Sequence, residues 1–116
     1  MAEAERRDDR RQTVAAFEEA VNMTAAQLEK WLGTEASQSV GQSDGHGGGE
    51  SVGHASGRRI VTLLRTRKGD LSDDDLAHMR KVVGYVHRHI KQRPGGDVTD
   101  TRWRSSLMNW GHDPLK

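Results

Sequence analysis

The sequence predicts an all-α chain, a small bundle of four to five helices with a Gly-rich surface loop. Three observations lead there. In Leu71–Pro94 the residues Leu76, Met79, Val83, Val86 and Ile90 recur at steps of three and four, with Val82 beside them, the repeat of a helix that buries one stripe. Start and stop signals bracket the apolar runs, with Thr24 and Ser72 before helices and Gly33, Gly69 and Gly111 behind them. Finally, 116 residues with 33% apolar content leave room for one modest core built from a few well-patterned helices.

Taken in order, residues 1–12 are a charged, partly disordered N-terminal tail and residues 13–116 a single helical domain. A short first helix covers Thr13–Val21, with Val14, Phe17 and Val21 on one face and Asn22 at its end. Thr24 and Gln27 have the spacing of a capping box, which starts a second helix over 25–32 with Gly33 as a left-handed stop. Gly41–Gly57 holds seven glycines and no periodicity, so it is the flexible loop. Ser-Val-Gly stands at both of its rims, at Ser39–Gly41 and Ser51–Gly53, and predicts ordered turns around a mobile Gly45–Gly49. A third helix runs from Ser56 to Gly69 on Ile60, Leu63 and Leu64. The long fourth helix has Ser72 as N-cap and Asp73, Asp74 and Asp75 on the positive end of its dipole, and Pro94-Gly95-Gly96 stops it after about six turns. Asp100 then caps a last helix in which Trp103, Leu107 and Trp110 share a face and seal the core, closed by Gly111 and Pro114. The third, fourth and last helices are expected to form the core.

Composition excludes several classes of function. No segment approaches the ~20 apolar residues that cross a bilayer, and the first residues lack the apolar run of a secretory signal, so a cytoplasmic protein without membrane contact is expected. With no cysteine there is no disulfide, thiolate metal site or cysteine nucleophile. Six histidines raise a metal site, but His87 and His89 point about 160° apart on a helix, and His78 and His89 are eleven residues apart. No metal and no cofactor are expected. The P-loop spacing is absent, and the acids at Asp73–Asp75 and the pair His112-Asp113 are explained by capping, so no catalytic residue is assigned and the chain is expected not to be an enzyme.

Charge is the informative feature. Residues 1–56 carry 5 Lys/Arg against 10 Asp/Glu, and residues 57–116 carry 13 against 7, so the halves have net charges of −5 and +6. Arg80, Lys81, Arg88 and Lys91 cluster on a second face of the long helix around Gly84, which admits a close-approaching phosphate backbone. If the third and fourth helices pack antiparallel, their outer faces join into one surface. Its candidate nucleic-acid contacts are Arg58, Arg59, Arg65, Arg80, Lys81, Arg88, Lys91 and Arg93. Backbone amides around Ser56 and Gly57, backed by Arg58 and Arg59, form a candidate hold for one phosphate. A helix-turn-helix does not fit, because the start of its second helix would bring three aspartates to the DNA.

MTAAQLEKWLG, at Met23–Gly33, resembles the first helix of SAP-like and helix-extension-helix DNA-binding modules. A longer resemblance is carried by SVGHASGRRIVTLLR, HMRKVVGYVHRHIKQRP and TRWRSSLMNWGHDP. From about Val21 to Lys116 the chain resembles a family of small bacterial and fungal proteins of unknown function commonly labelled DNA-binding. That resemblance implies membership and the label, and brings no catalytic residue, cofactor or partner. The expectation is therefore a non-enzymatic protein whose partner is DNA, gripped by its phosphate backbone with little base readout, and which is nucleoid-associated in that case. The alternative is a protein-interaction or self-association module, a homodimer joined at Trp103 and Trp110 or at Gly84.

Overall fold

An uninterrupted run of helix formers at the start of the chain sets the length of the first helix. The computed structural model describes residues 2–40 and 50–116, with side chains from Arg7 onward. Six α-helices lie among them: α1 (Ala2–Ala20), α2 (Ala25–Leu32), α3 (Glu35–Ser39), α4 (Val52–Leu64), α5 (Asp73–Ile90) and α6 (Arg102–Asn109), with a 3₁₀ turn at Lys68–Asp70. The count thus exceeds the four to five expected. No strand occurs among the described residues.

Helix α1 begins at Ala2 rather than at Thr13. No Gly or Pro interrupts it, opposite charges such as Asp8 and Arg11 stand at helical spacing, and Arg10 anchors its first half by donating to the carbonyls of Lys68 (3.1 Å) and Leu71 (2.6 Å). Its second half buries Val14, Phe17 and Ala20 against α5, the longest packing contact in the fold. The second helix matches its expected bounds, and its capping box is complete: Gln27 N–H donates to Thr24 Oγ1 and Thr24 N–H to Gln27 Oε1. Gly33, however, has φ −82°, so the chain leaves α2 without a left-handed residue. It turns at once into α3, a helix the sequence reading did not foresee, capped by Thr34.

The flexible-loop expectation for 41–57 is corrected from Ser51 onward; Gly45–Gly49 lies outside the described residues. Ser51 accepts from His54 N–H and α4 starts at Val52, so Gly53, His54, Ser56 and Gly57 are helical. Tertiary packing overrides glycine's poor helix propensity here. A Cβ on Gly57 would lie 2.6 Å from both the Asn109 carbonyl oxygen and Leu32 Cδ2, so only glycine lets α4 approach α6 and α2 this closely. Helix α4 ends at Leu64, well before Gly69.

Helix α5 has Ser72 as N-cap in a capping box with Asp75. Its buried stripe is Leu76, Met79, Val82 and Val86; Val82 is central instead of flanking, Val83 is half-buried, and Ile90 is 40% exposed. Nor do α4 and α5 pack along their stripes: α4 lies mainly along α2, α5 along α1, and the two meet over a short stretch. The expected three-helix core is therefore completed by α1 and α2, whose Phe17 and Leu28 are as fully buried as Ile60 of α4 and Leu107 of α6. Thr101, not Asp100, caps α6. The close of α6 is a Schellman turn, in which Gly111 at φ +82° donates to Met108 and His112 donates to Leu107.

Gly57→Ala tests the α4–α6 approach. Overpacking against a backbone carbonyl costs ~1–3 kcal/mol against the ~1 kcal/mol of helix propensity gained, so a net loss of about 1 kcal/mol is expected in urea unfolding. Gly69→Ala, with nothing within 4 Å of the new Cβ, is the near-neutral control.

Candidate functional site

The predicted basic residues fall into groups that the fold treats differently. On α4 and at its C-cap the arginines are ion-paired: Arg58 donates through Nε (2.7 Å) and Nη2 (2.5 Å) to Glu50, Arg65 Nη1 lies 2.9 Å from Glu29, and Arg59 Nη2 lies 3.3 Å from Asp75. The Arg58 hydrogen bond holds the Glu50 carboxyl below its ordinary range, and that of Arg65 does the same for Glu29. Such exposed pairs add little stability, but each cancels a cation. By contrast, Arg80, Lys81, Arg88, Lys91 and Arg93 form no ion pair with any described residue.

Those five have different neighbours. Arg80 lies over the α1 side of α5, near Asp9 and Gln12. Lys81 and Arg88 line a separate cavity, between α4, α5 and α6. Lys91 is the exposed C-cap of α5, and Arg93 folds back over the Trp103 ring at 5.6 Å. Gly84, read as a gap for a phosphate backbone, is where the Arg88 guanidinium rests: a Cβ there would meet Arg88 Nη1 at 3.1 Å. The amides of Ser56 and Gly57 are in the interior of α4, so the anion hold expected there is not formed; Ser56 Oγ meets His78 Nε2 at 2.9 Å instead.

Beneath the basic edge runs an aromatic ladder that the sequence reading missed. His78 stacks on Trp110 (6.3 Å between centroids), Trp110 on Tyr85 (4.3 Å), Tyr85 on His89 (5.1 Å) and His89 on Trp103 (6.1 Å), with planes tilted 13–16°. Its signal was present: His78, Tyr85 and His89 recur at seven and four on α5, and Trp103 and Trp110 at seven on α6. Both of these indoles are buried by the chain's own helices, as expected of core residues. Two further histidines have other tasks. His54 Nε2 meets the Leu32 carbonyl (2.8 Å) and its Nδ1 meets Glu50, fastening α4 to the end of α2. His112 Nδ1 meets the Ala20 carbonyl at 2.7 Å. Among the described residues no group of three His, Asp or Glu is placed to hold a metal ion, and no helix is long and apolar enough to cross a membrane.

Burial lowers the proton affinity of His78 and His89, and His89 Nε2 is buried with no hydrogen-bond partner among the described residues. An unfolded chain binds protons on these rings near the ordinary pKa of ~6.5, so it is favoured as pH falls below that value, and stability drops. Urea unfolding at about pH 7.5 and 5.5 is expected to show this loss, and His89→Phe, which keeps a ring in the ladder and removes one titrating group, to show a smaller one. Equal losses in the two proteins would contradict the assignment.

A family model described as protein of unknown function (DUF3140) matches residues 16–108, from the last five residues of α1 almost to the end of α6. Neither the comparison with curated proteins nor that with solved structures gave a match. The matched span includes the end of α1, all of α5, every rung of the ladder except Trp110 and every predicted basic residue, and on it the chain belongs to the DUF3140 family, whose function is unknown.

Proposed function

We propose that the protein is a non-enzymatic DNA-binding protein that grips the phosphate backbone through the latter half of α5. One observation carries the reading: Lys81 at the middle of the helix, Arg88 in its latter half and Lys91 and Arg93 just beyond are exposed and have no ion-pair partner among the described residues. The acids of the helix, Asp73–Asp75, are confined to its first turn. Lys81 and Lys91 are ten residues apart, about 15 Å along the axis, which is enough to reach both phosphate rims of a major groove ~12 Å wide. Arg58, Arg59 and Arg65 would first have to leave Glu50, Asp75 and Glu29, so they are secondary contacts in this reading. Contact of this kind reads charge and not sequence, and it is expected of a nucleoid-associated protein.

With about four phosphates neutralised, the affinity for random duplex DNA is expected to fall roughly a hundredfold between about 50 and 200 mM salt. Fluorescence anisotropy measures this, and Arg88→Glu with Lys91→Glu is expected to abolish binding at both salt concentrations. No binding at low salt, or binding that ignores salt, sinks the proposal.

A further inference from the structure

We propose that the cavity where α4, α5 and α6 meet is a binding site for a small organic anion, a carboxylate or phosphate carried on a compact apolar body. Its volume is about 280 Å³, close to the lower end of small-molecule sites at ~300 Å³, which suits a compact occupant. The charge of its lining is one-sided. Lys81 and Arg88 border it without a carboxylate among the lining residues, and neither cation has an ion-pair partner among the described residues. Arg88 keeps its place at the cavity because its guanidinium lies against the bare backbone of Gly84.

A second, independent observation is the Trp110 indole. Trp110 is only 4% exposed and lines the cavity, with its Nε1 3.1 Å from where a Cβ on Gly53 would stand. The other two indoles donate, Trp31 to Asn109 Oδ1 (2.8 Å) and Trp103 to the His89 carbonyl (2.7 Å), whereas the Trp110 N–H has no acceptor among the described residues. His89 Nε2, and not this indole nitrogen, is the fully buried unpaired atom, so the Trp110 N–H reaches the open space of the cavity, where an oxygen acceptor on a guest pairs with it and with the two cations. Ser106 adds a hydroxyl, and the Tyr85 and Val52 side chains give the apolar body its wall. The site does not depend on nucleic-acid binding, although Lys81 and Arg88 figure in both readings.

The test uses ¹H–¹⁵N spectra of the full chain, read at the Trp110 indole resonance, with phenyl phosphate, benzoate and inorganic phosphate as probes. Saturable shifts by phenyl phosphate or benzoate, at least tenfold tighter than by inorganic phosphate, are expected, and the two organic probes separate phosphate from carboxylate. Lys81→Gln with Arg88→Gln is expected to weaken the better probe tenfold or more. Ser106→Leu fills the cavity and leaves both cations, so it is expected to abolish binding. Val52→Trp, at an exposed rim position, blocks the mouth without entering the core and tests the same point independently of folding. Lys91→Glu lies outside the cavity; it is expected to weaken DNA binding and to leave the probe affinity unchanged. No saturable shift, equal affinity for inorganic phosphate, or binding that survives Val52→Trp overturns the proposal.

Discussion

Four consecutive residues, Asn109–His112, fix the relative positions of all the helices. The Asn109 amide is fully buried; its oxygen accepts from Trp31 of α2 and Ser37 of α3, and its nitrogen donates to the Ser37 carbonyl at 3.0 Å. Its own carbonyl lies where Gly57 of α4 leaves no side chain. Trp110 stacks on Tyr85 of α5, Gly111 accepts from Met23 N–H and packs on Val21, and His112 meets the end of α1. A buried side-chain amide whose oxygen and nitrogen are both paired fixes one arrangement, because a shift of a neighbouring helix leaves a polar atom unpaired at a cost of ~1–3 kcal/mol. Six helices with one small core gain a unique packing in this way that apolar contact alone, being non-directional, does not impose.

That hub decides what α5 can present to solvent. One flank of the helix is covered by α1, and the ladder from His78 to Trp103 fastens another to α6. What remains outward is the edge bearing Lys81, Arg88 and Lys91. The charge difference between the halves of the chain is reduced in the folded molecule, because Glu29 and Glu50 of the acidic half stand against Arg65 and Arg58 of the basic half. A net charge counted along the sequence therefore overstates the field at α4 and describes it better at the end of α5.

The parts of the fold legible in the sequence were those whose cause is local. The capping box at Thr24–Gln27 and the N-cap at Ser72 are short-range hydrogen-bond patterns and both are present as read, the second completed to a box by Asp75. The Gly-rich segment misled where the cause is tertiary: Gly53 and Gly57 signal a loop by propensity, and only the nearness of Trp110, Asn109 and Leu32 makes them helical. Ile90 was assigned to the core by its period, yet it lies where α5 has outrun its covering helices. For the candidate site, residue type and spacing showed which residues are basic but not which acids face them, since Arg65 and Glu29 are separated by 36 positions. Asn109 gave no signal, because a buried amide network is a property of three elements meeting and of no single stretch.

The two proposed binding modes meet at Lys81 and Arg88. A phosphate backbone crossing the outer edge of α5 and an anion held in the cavity draw on the same two cations, and the Arg88 guanidinium on Gly84 lies between them. Each ligand neutralises charge that the other needs, so under both proposals their binding is antagonistic, and by linkage the antagonism is equal in the two directions. Lys91 and Arg93 stand beyond the cavity and are left to the backbone alone, so an occupied cavity reduces the affinity for a polyanion without removing it. Placing the cations in two sets, one shared and one not, makes the degree of antagonism a matter of how many phosphate contacts remain.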